Sequence, residues 1–337
     1  MGTNNSHCGK HSSGRGTKSG KVKAFLRWVG GKRQLVGRLI PYLPPDISAA
    51  RYHEPFAGAA NLYFTLAPKT AALSDLNKHL IQCYRQIRDD YRAVASSLSR
   101  HKRKNSEDYY YRIRDLYNRS DRGPAQAARF IYLNQTCFNG VFRVNTNGEF
   151  NVPYGDKPNP VFPSAAELKR IGAKLKTAKL SVADYATALS KVAKKDFVYL
   201  DPPYPPLNGT AYFTHYTADR FSKENQQRLA MTVRTLHKRG ARFLMTNADL
   251  PSIRKLYGPF HIAKLRVTRY VSCKGIRTAT RWRCCAWRTS RRRRRSSAPG
   301  AAGASRTASA SGFTARTSSR RGPRTPTRRC CAHRLPR

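Results

Sequence analysis

The sequence predicts an α/β fold built on a largely parallel sheet. Two observations carry that expectation, and a third qualifies it. Short apolar segments of strand type alternate with segments whose apolar residues recur at helical spacing, an order that favours parallel strands with helices between them. Two of the strands run straight into turns a ligand can approach, one at Gly58 and one at Asp201-Pro202-Pro203. The qualification lies at about 90–180, where the rhythm breaks in a segment rich in basic residues (Arg100, Lys102, Arg103, Lys104, Arg112, Arg114, Arg119) that reads as an insertion.

The elements follow in order. Leu35, Val36 and Leu39 suit a short helix that Pro41 and the Pro44-Pro45 pair end. Arg51–Phe56 reads as a strand entering Gly58, with a helix after Asn61. Thr70–Ser74 is a second strand, ending at Asp75. Leu80, Tyr84 and Ile87 then recur at helical spacing, with Asp75 or Asn77 able to cap. Asp196–Leu200 is a compact apolar strand stopped by Asp201-Pro-Pro. Leu229, Val233 and Leu236 mark a helix opened by Ser222 and closed by Gly240. Arg242–Thr246 is a buried-type strand, and Lys264–Ser272 alternates like a strand exposed on one face.

Composition narrows the function. The 337 residues carry 65 Lys+Arg against 18 Asp+Glu, a net charge of +47, and such a chain seeks a polyanion, most often nucleic acid. No apolar run approaches the roughly 18 residues that a membrane span needs. The first twenty residues show no secretory pattern, and eight cysteines in this length make no disulfide scaffold, so a reducing cytoplasm is expected.

The charge is unevenly spread. Asp249 is the last acidic residue, and 276–337 holds 18 Arg with no Lys, Asp or Glu. That stretch, including Arg291–Arg295, reads either as a disordered arm that binds phosphates or as out-of-frame translation of a GC-rich gene. Back-translating Thr278–Trp287 with permitted codons and shifting the frame yields Gly-Asp-Lys-Val-Glu-Val-Leu-Arg-Val, a strand-like alternation, and we favour the out-of-frame reading. Four segments follow: a flexible basic leader at 1–21, a discontinuous α/β domain at 22–90 and 181–277, an inserted domain at 91–180, and a disordered tail at 278–337.

Two constellations carry chemistry. Glu54-Pro-Phe-Ala-Gly58-Ala-Ala-Asn61 lies between a strand and a helix, where small residues let a ligand reach the backbone. Asp75 comes 17 residues after Gly58, where an acidic residue can bind ribose hydroxyls. A tight turn and a helix-capping Asp explain the same residues equally well. Asp201-Pro202-Pro203-Tyr204 is sharper. Its prolines stiffen the loop, the Asp201 carboxylate and loop carbonyls can accept from an exocyclic amino group, and Tyr204 offers a face for a base outside its helix. The histidines lack paired metal spacing, and the adjacent pairs Cys284-Cys285 and Cys330-Cys331 do not suit zinc, so no metal is expected.

Asp-Pro-Pro-Tyr, Pro-Phe-Ala-Gly and Phe25-Leu-Arg-Trp-Val-Gly-Gly-Lys32 together resemble the DNA adenine methylase (Dam) family of N6-adenine methyltransferases, in the order of its alpha subgroup. The likeness continues through Leu133–Gly140, Arg143, Gly148–Pro153 and Phe243–Asn247, and covers roughly 23–277. It implies a Rossmann-like, S-adenosylmethionine-dependent methyltransferase sheet with an inserted, mainly helical DNA-recognition domain. It also implies cofactor contacts from Trp28, Lys32, Phe56, Gly58, Asp75 and Asp201, catalytic roles for Asp201, Pro202, Pro203 and Tyr204, and DNA contacts from Asn139, Arg143 and Pro153. The implied reaction is methyl transfer to adenine N6 in double-stranded DNA, commonly at GATC, by a monomer acting in the cytoplasm at the nucleoid. Rival readings are an N4-cytosine or RNA methyltransferase, and a DNA-binding protein without catalysis. Two departures from the family pattern stand out. Ala60 occupies the place of a second glycine, and the likeness stops near Arg277, so the sheet is expected to lack its last strand.

Overall fold

The computed structural model describes residues 22–120, 122–205, 221–269 and 280–288, with backbone alone at 266–269 and 280–288. The leader, His215 and residues 289–337 lie outside the described residues. In chain order the elements are α1 Val36–Leu39, β1 Tyr52–Glu54, α2 Asn61–Leu66, β2 Ala71–Asp75, α3 Lys78–Lys102, α4 Glu107–Asn118, α5 Pro124–Thr136 and α6 Ala165–Leu175. There follow β3 Ala178–Val182, α7 Tyr185–Leu189, β4 Phe197–Leu200, α8 Lys223–Lys238, β5 Arg242–Ala248, α9 Pro251–Tyr257, β6 His261–Arg269 and β7 Thr280–Arg288.

The strands form one sheet in the order β3-β2-β1-β4-β5-β7-β6. β1 to β5 are mutually parallel, with Tyr52 beside both Ala71 and Phe197, and Phe197 beside Arg242. Alternation sends side chains of one strand to opposite faces. Phe197 and Tyr199 of β4 join a core with Leu73, Tyr84, Ile131 and Leu168, while Val198 and Leu200 join Leu229, Val233, Phe243 and Met245. Burial on both faces explains why β4 and the Phe243–Met245 stretch of β5 read as unbroken apolar runs.

The parallel α/β sheet expected from the sequence is present, and the cap left open is settled. Asn77 caps α3, its Oδ1 accepting the Leu80 N–H at 3.0 Å, while Asp75 turns back to the Gly58 loop. Three elements were not anticipated: β3, α7 and α9. β3 is an edge strand whose exposed Lys179 breaks its apolar pattern, as edge strands commonly do. Helix α3 runs through the expected 90/91 boundary with one non-helical residue, Asp90. Buried residues of α4 and α5, among them Tyr110, Ile113 and Ile131, share one continuous core with Leu73 of the sheet.

The expected loss of the final strand, and with it a tail beginning at 278, needs correction. β7 pairs antiparallel with β5 from Leu244↔Arg288 to Ala248↔Cys284, and with β6 from His261↔Arg288 to Arg269↔Thr280. Ladder hydrogen bonds need only backbone N–H and C=O groups, and Thr280–Arg288 contains neither proline nor glycine. The slot between β5 and β6 therefore accepts a sequence that does not resemble the family's own. Among the described residues, no helix is long and apolar enough to cross a membrane.

Candidate active site

The parallel strands deliver Glu54, Asp75 and Asp201 to the same end of the sheet, at the carboxyl ends of β1, β2 and β4. A βα turn follows each strand, so chemistry gathers at these ends and not along the faces.

Asp201 is half-buried and fully engaged. Its Oδ2 accepts from Lys32 Nζ at 2.8 Å, and its Oδ1 accepts from Tyr204 Oη at 3.0 Å and Thr246 Oγ1 at 2.5 Å. Lys32 Nζ also sits 4.6 Å from the centre of the Tyr204 ring, so the residue pairs with the acid and its aromatic neighbour together. Pro202 is buried and Pro203 exposed. The Pro203 carbonyl accepts from Gln226 Nε2 at 3.1 Å, and Gln226 Oε1 in turn accepts from Asn247 Nδ2 at 3.0 Å. Helix α8 and strand β5 thus hold the Asp-Pro-Pro-Tyr loop in place.

The glycine turn is built to exclude a side chain. Gly58 has φ +45°, and a Cβ there would lie 2.8 Å from Trp28 Cδ1. Its N–H donates to Asp75 Oδ2 at 3.0 Å, while Asp75 Oδ1 accepts from Asn77 N at 2.9 Å. Burial pushes the Asp75 carboxyl upward, and the backbone N–H groups of Asn77, Gly58 and Leu76 pull it back down. Ala60 adopts the left-handed backbone too, at φ 50°. Tyr84 Oη donates to the Gly58 carbonyl at 2.7 Å and fixes the loop from below. Phe56 stacks on Tyr185, with ring centres 5.4 Å apart, and meets Phe221 edge-on at 5.8 Å. Glu54 is 2% exposed and accepts from Tyr52 Oη at 2.8 Å. Burial, with Asp201 and Asp75 nearby, raises its carboxyl to about 8.

Trp28 links this floor to a second site. Its indole lies beside Gly58 and stacks on Phe142, with centres 6.1 Å apart. Phe142 belongs to a hairpin closed by the Val144↔Phe150 and Cys137↔Tyr154 bridges. Asn139, Arg143 and Pro153 all sit on that hairpin. Asn139 is exposed with φ 53°, the Pro153 carbonyl accepts from Phe138 N at 3.0 Å, and Arg143 Nε donates to Asn151 Oδ1 at 2.7 Å.

The structure therefore brings together Trp28, Lys32, Gly58, Asp75, Asp201 and Tyr204, with Phe56 on a flanking wall beside Tyr185. Sequence reasoning missed Thr246, Gln226, Tyr185 and Asn134, which act through contacts from distant elements. Thr246 stood within the recognised Phe243–Asn247 segment, but nothing there indicated that its hydroxyl meets Asp201.

Residues 28–271 match the profile of the D12 class N6 adenine-specific DNA methyltransferases. The chain is 37% identical over 276 residues to the Type II methyltransferase M.MjaIII of Methanocaldococcus jannaschii, covering 76% of this chain and 94% of that protein. It is 38% identical over 254 residues to the Type II methyltransferase M1.LlaDCHI of Lactococcus lactis, covering 74% of this chain and 89% of that one. The DNA adenine methylase of Escherichia coli strain K12 shares 34% identity over 258 residues, 76% of this chain and 91% of its own. The fold, the pairing of Asp201 with Lys32 and these matches lead to one conclusion: the chain belongs to the D12 class family of N6 adenine-specific DNA methyltransferases.

Proposed function

We propose that this chain transfers a methyl group from S-adenosylmethionine to the N6 amino group of an adenine flipped out of duplex DNA, at GATC or a close variant. One observation carries the reading: the Asp201 carboxylate is held between Tyr204, Thr246 and Lys32 at the mouth of the Gly58–Asp75 turn.

The residues suit the cofactor. The turn at Gly58 has no room for a Cβ because the Trp28 indole lies against it, and the Asp75 carboxylate beside it suits ribose hydroxyls. When bound, S-adenosylmethionine supplies a methyl group on a positively charged sulfur, and the Asp75 and Asp201 side chains at this end suit that charge. Trp28 and Phe56 supply aromatic walls.

Asp201 and the Pro202 carbonyl accept the two N6–H groups of the target. Accepting both draws the nitrogen toward tetrahedral geometry and frees its lone pair. The residues would direct that pair at the methyl group the bound cofactor supplies, and the surplus N6 proton would leave along its hydrogen bond to the Asp201 carboxylate. Lys32 is bonded to Asp201 Oδ2, the oxygen that an amino group would meet. Gln226 engages the Pro203 carbonyl, which supports Pro202 as the acceptor. Tyr204 supplies a ring for stacking, and alignment contributes much of the remaining acceleration.

Asn139, Arg143 and Pro153 on the Phe142 hairpin are assigned to the DNA, with Arg143 reading guanine in the major groove. The 91–180 segment is the recognition domain, and 22–90 with 181–288, which includes β7, is the catalytic one; the chain acts as a monomer. Names of relatives favour a DNA-methylation role of the restriction-modification kind. Incubation with labelled S-adenosylmethionine and unmethylated duplex tests the reading. Label at adenine N6 in one short sequence supports it. Label on cytosine or on RNA only, or none with the cofactor bound, defeats it.

A further inference from the structure

We propose that the amino-terminal edge of the parallel sheet, at the opposite end of the strands from the active site, holds a second segment of duplex DNA. All five parallel strands start on that edge, and backbone hydrogen bonds tie their lead-in segments into one row. Phe197 N donates to Arg51 O at 2.9 Å, Tyr52 N to Thr70 O at 3.1 Å, Ala71 N to Thr177 O at 3.0 Å and Arg242 N to Asp196 O at 2.9 Å.

The segments 49–51, 68–70, 174–177, 191–196 and 237–241 lead into β1, β2, β3, β4 and β5. Together they hold nine Lys and Arg and a single carboxylate, Asp196. That carboxylate is buried and committed, 2.9 Å from His53 Nε2. The strands' other ends carry Asp75 and Asp201, so the sheet is polarised, with these acidic side chains at the mouth and the cations behind it. Strands lie about 4.8 Å apart, so five starts span roughly 20 Å, and neighbours fall within the Debye length of about 8 Å. The cations therefore repel one another until a polyanion covers them.

Helix dipoles explain part of this pattern. Lys174 and Lys238 lie in the last turns of α6 and α8, where a cation is favoured. They do not explain Arg51, nor Lys191, Lys194 and Lys195, three exposed lysines within five residues that follow the five-residue α7. Duplex DNA presents one charge per about 1.7 Å of axis, so roughly 12 phosphates lie along such a span, and those on the near side meet the cations. DNA is named as the polyanion because the inference rests on the proposed function; the basic edge itself does not.

The test uses the full chain, so that residues 278–337 contribute equally to every variant. The protein is saturated with a short target-bearing duplex carrying one fluorophore, and a second duplex lacking the target carries another. Energy transfer between the two duplexes is expected for the parent chain at low salt. In the combined Lys191→Glu, Lys194→Glu, Lys195→Glu variant, second-duplex capture should weaken at least about tenfold. Its log–log salt slope should fall by about 3, with methylation of the first duplex and Tm unchanged. No energy transfer in the parent, capture unaltered in the variant, or preferential binding of phosphatidylglycerol vesicles would each overturn the proposal. Methylation of the first duplex is scored separately and reports on the proposed function alone.

Discussion

Asn134 clasps the backbone of Arg27 from both sides. Its Oδ1 accepts the Arg27 N–H at 2.8 Å, and its Nδ2 donates to the Arg27 carbonyl at 2.7 Å. Arg27 immediately precedes Trp28, the residue that covers Gly58, and lies five residues before Lys32 at Asp201. Helix α5, which leads into the Asn139 loop, thereby positions the cofactor side of the mouth. Replacing Asn134 with Ala strands both backbone groups, at about 1–3 kcal/mol. The expected result is a KM for S-adenosylmethionine raised about tenfold or more, with Asn134→Asp, which keeps the acceptor, intermediate. Unchanged steady-state kinetics in Asn134→Ala would break the link.

Thr246 is expected to act through Asp201. Thr246→Val keeps the shape and removes the 2.5 Å hydrogen bond to Oδ1, and should lower kcat about 100-fold while duplex affinity holds. Asp201→Asn should abolish turnover without loss of DNA binding. Single-turnover methylation with a binding titration separates the two effects.

Glu54 makes stability depend on pH. Burial raises its folded carboxyl from 4.5 to about 8, so between those values the folded chain holds a proton that the unfolded chain has released. Its contribution is full below pH 4.5 and is lost as pH rises toward 8. Glu54→Gln should flatten that fall, and its advantage over the parent in denaturant unfolding should grow from pH 5 to pH 8. An advantage that does not grow would show that Glu54 is already ionised in the folded chain.

Ala60 holds a left-handed backbone with a Cβ, where the resemblance expects glycine. Ala60→Gly removes a conformational penalty of about 1–2 kcal/mol, part of which the freer unfolded chain takes back. A rise in Tm of about 2–4 °C is expected, together with tighter cofactor binding by calorimetry. A lowered Tm would mean that the buried Ala60 methyl contributes more than the strain costs.

Strand β7 closes the sheet between β5 and β6, so truncation should have a sharp threshold. A chain ending at Arg291 should match the parent in Tm and methyl transfer. One ending at Arg277 leaves the β5 and β6 edges unpaired, and should melt lower and aggregate. Equal melting of the two truncations would remove β7 from the stable fold.

Much of the candidate site was legible because its chemistry is local. Asp201 to Tyr204 and Glu54 to Asn61 are contiguous runs at strand ends, and a strand reads from its own apolar pattern. β3 was not legible, since an exposed edge strand carrying Lys179 has no apolar run to betray it. Neither was the cap of α3, because Asp75 and Asn77 are equally good caps until Gly58 claims Asp75.

The sequence by itself determined the parallel α/β class, the polyanion preference and the loop that carries Asp201, because propensity, charge and short motifs lie within a few residues of one another. Only the tertiary structure decided that Thr246 and Lys32 meet Asp201, that Asn134 holds Arg27, and that Thr280–Arg288 takes the last strand position. Those outcomes depend on contacts between residues up to 169 positions apart, set by which strands lie side by side and which loops they bring together. Backbone pairing accepts nearly any non-proline segment that reaches an open slot, so the sheet, more than the segment's own residues, chose its final strand.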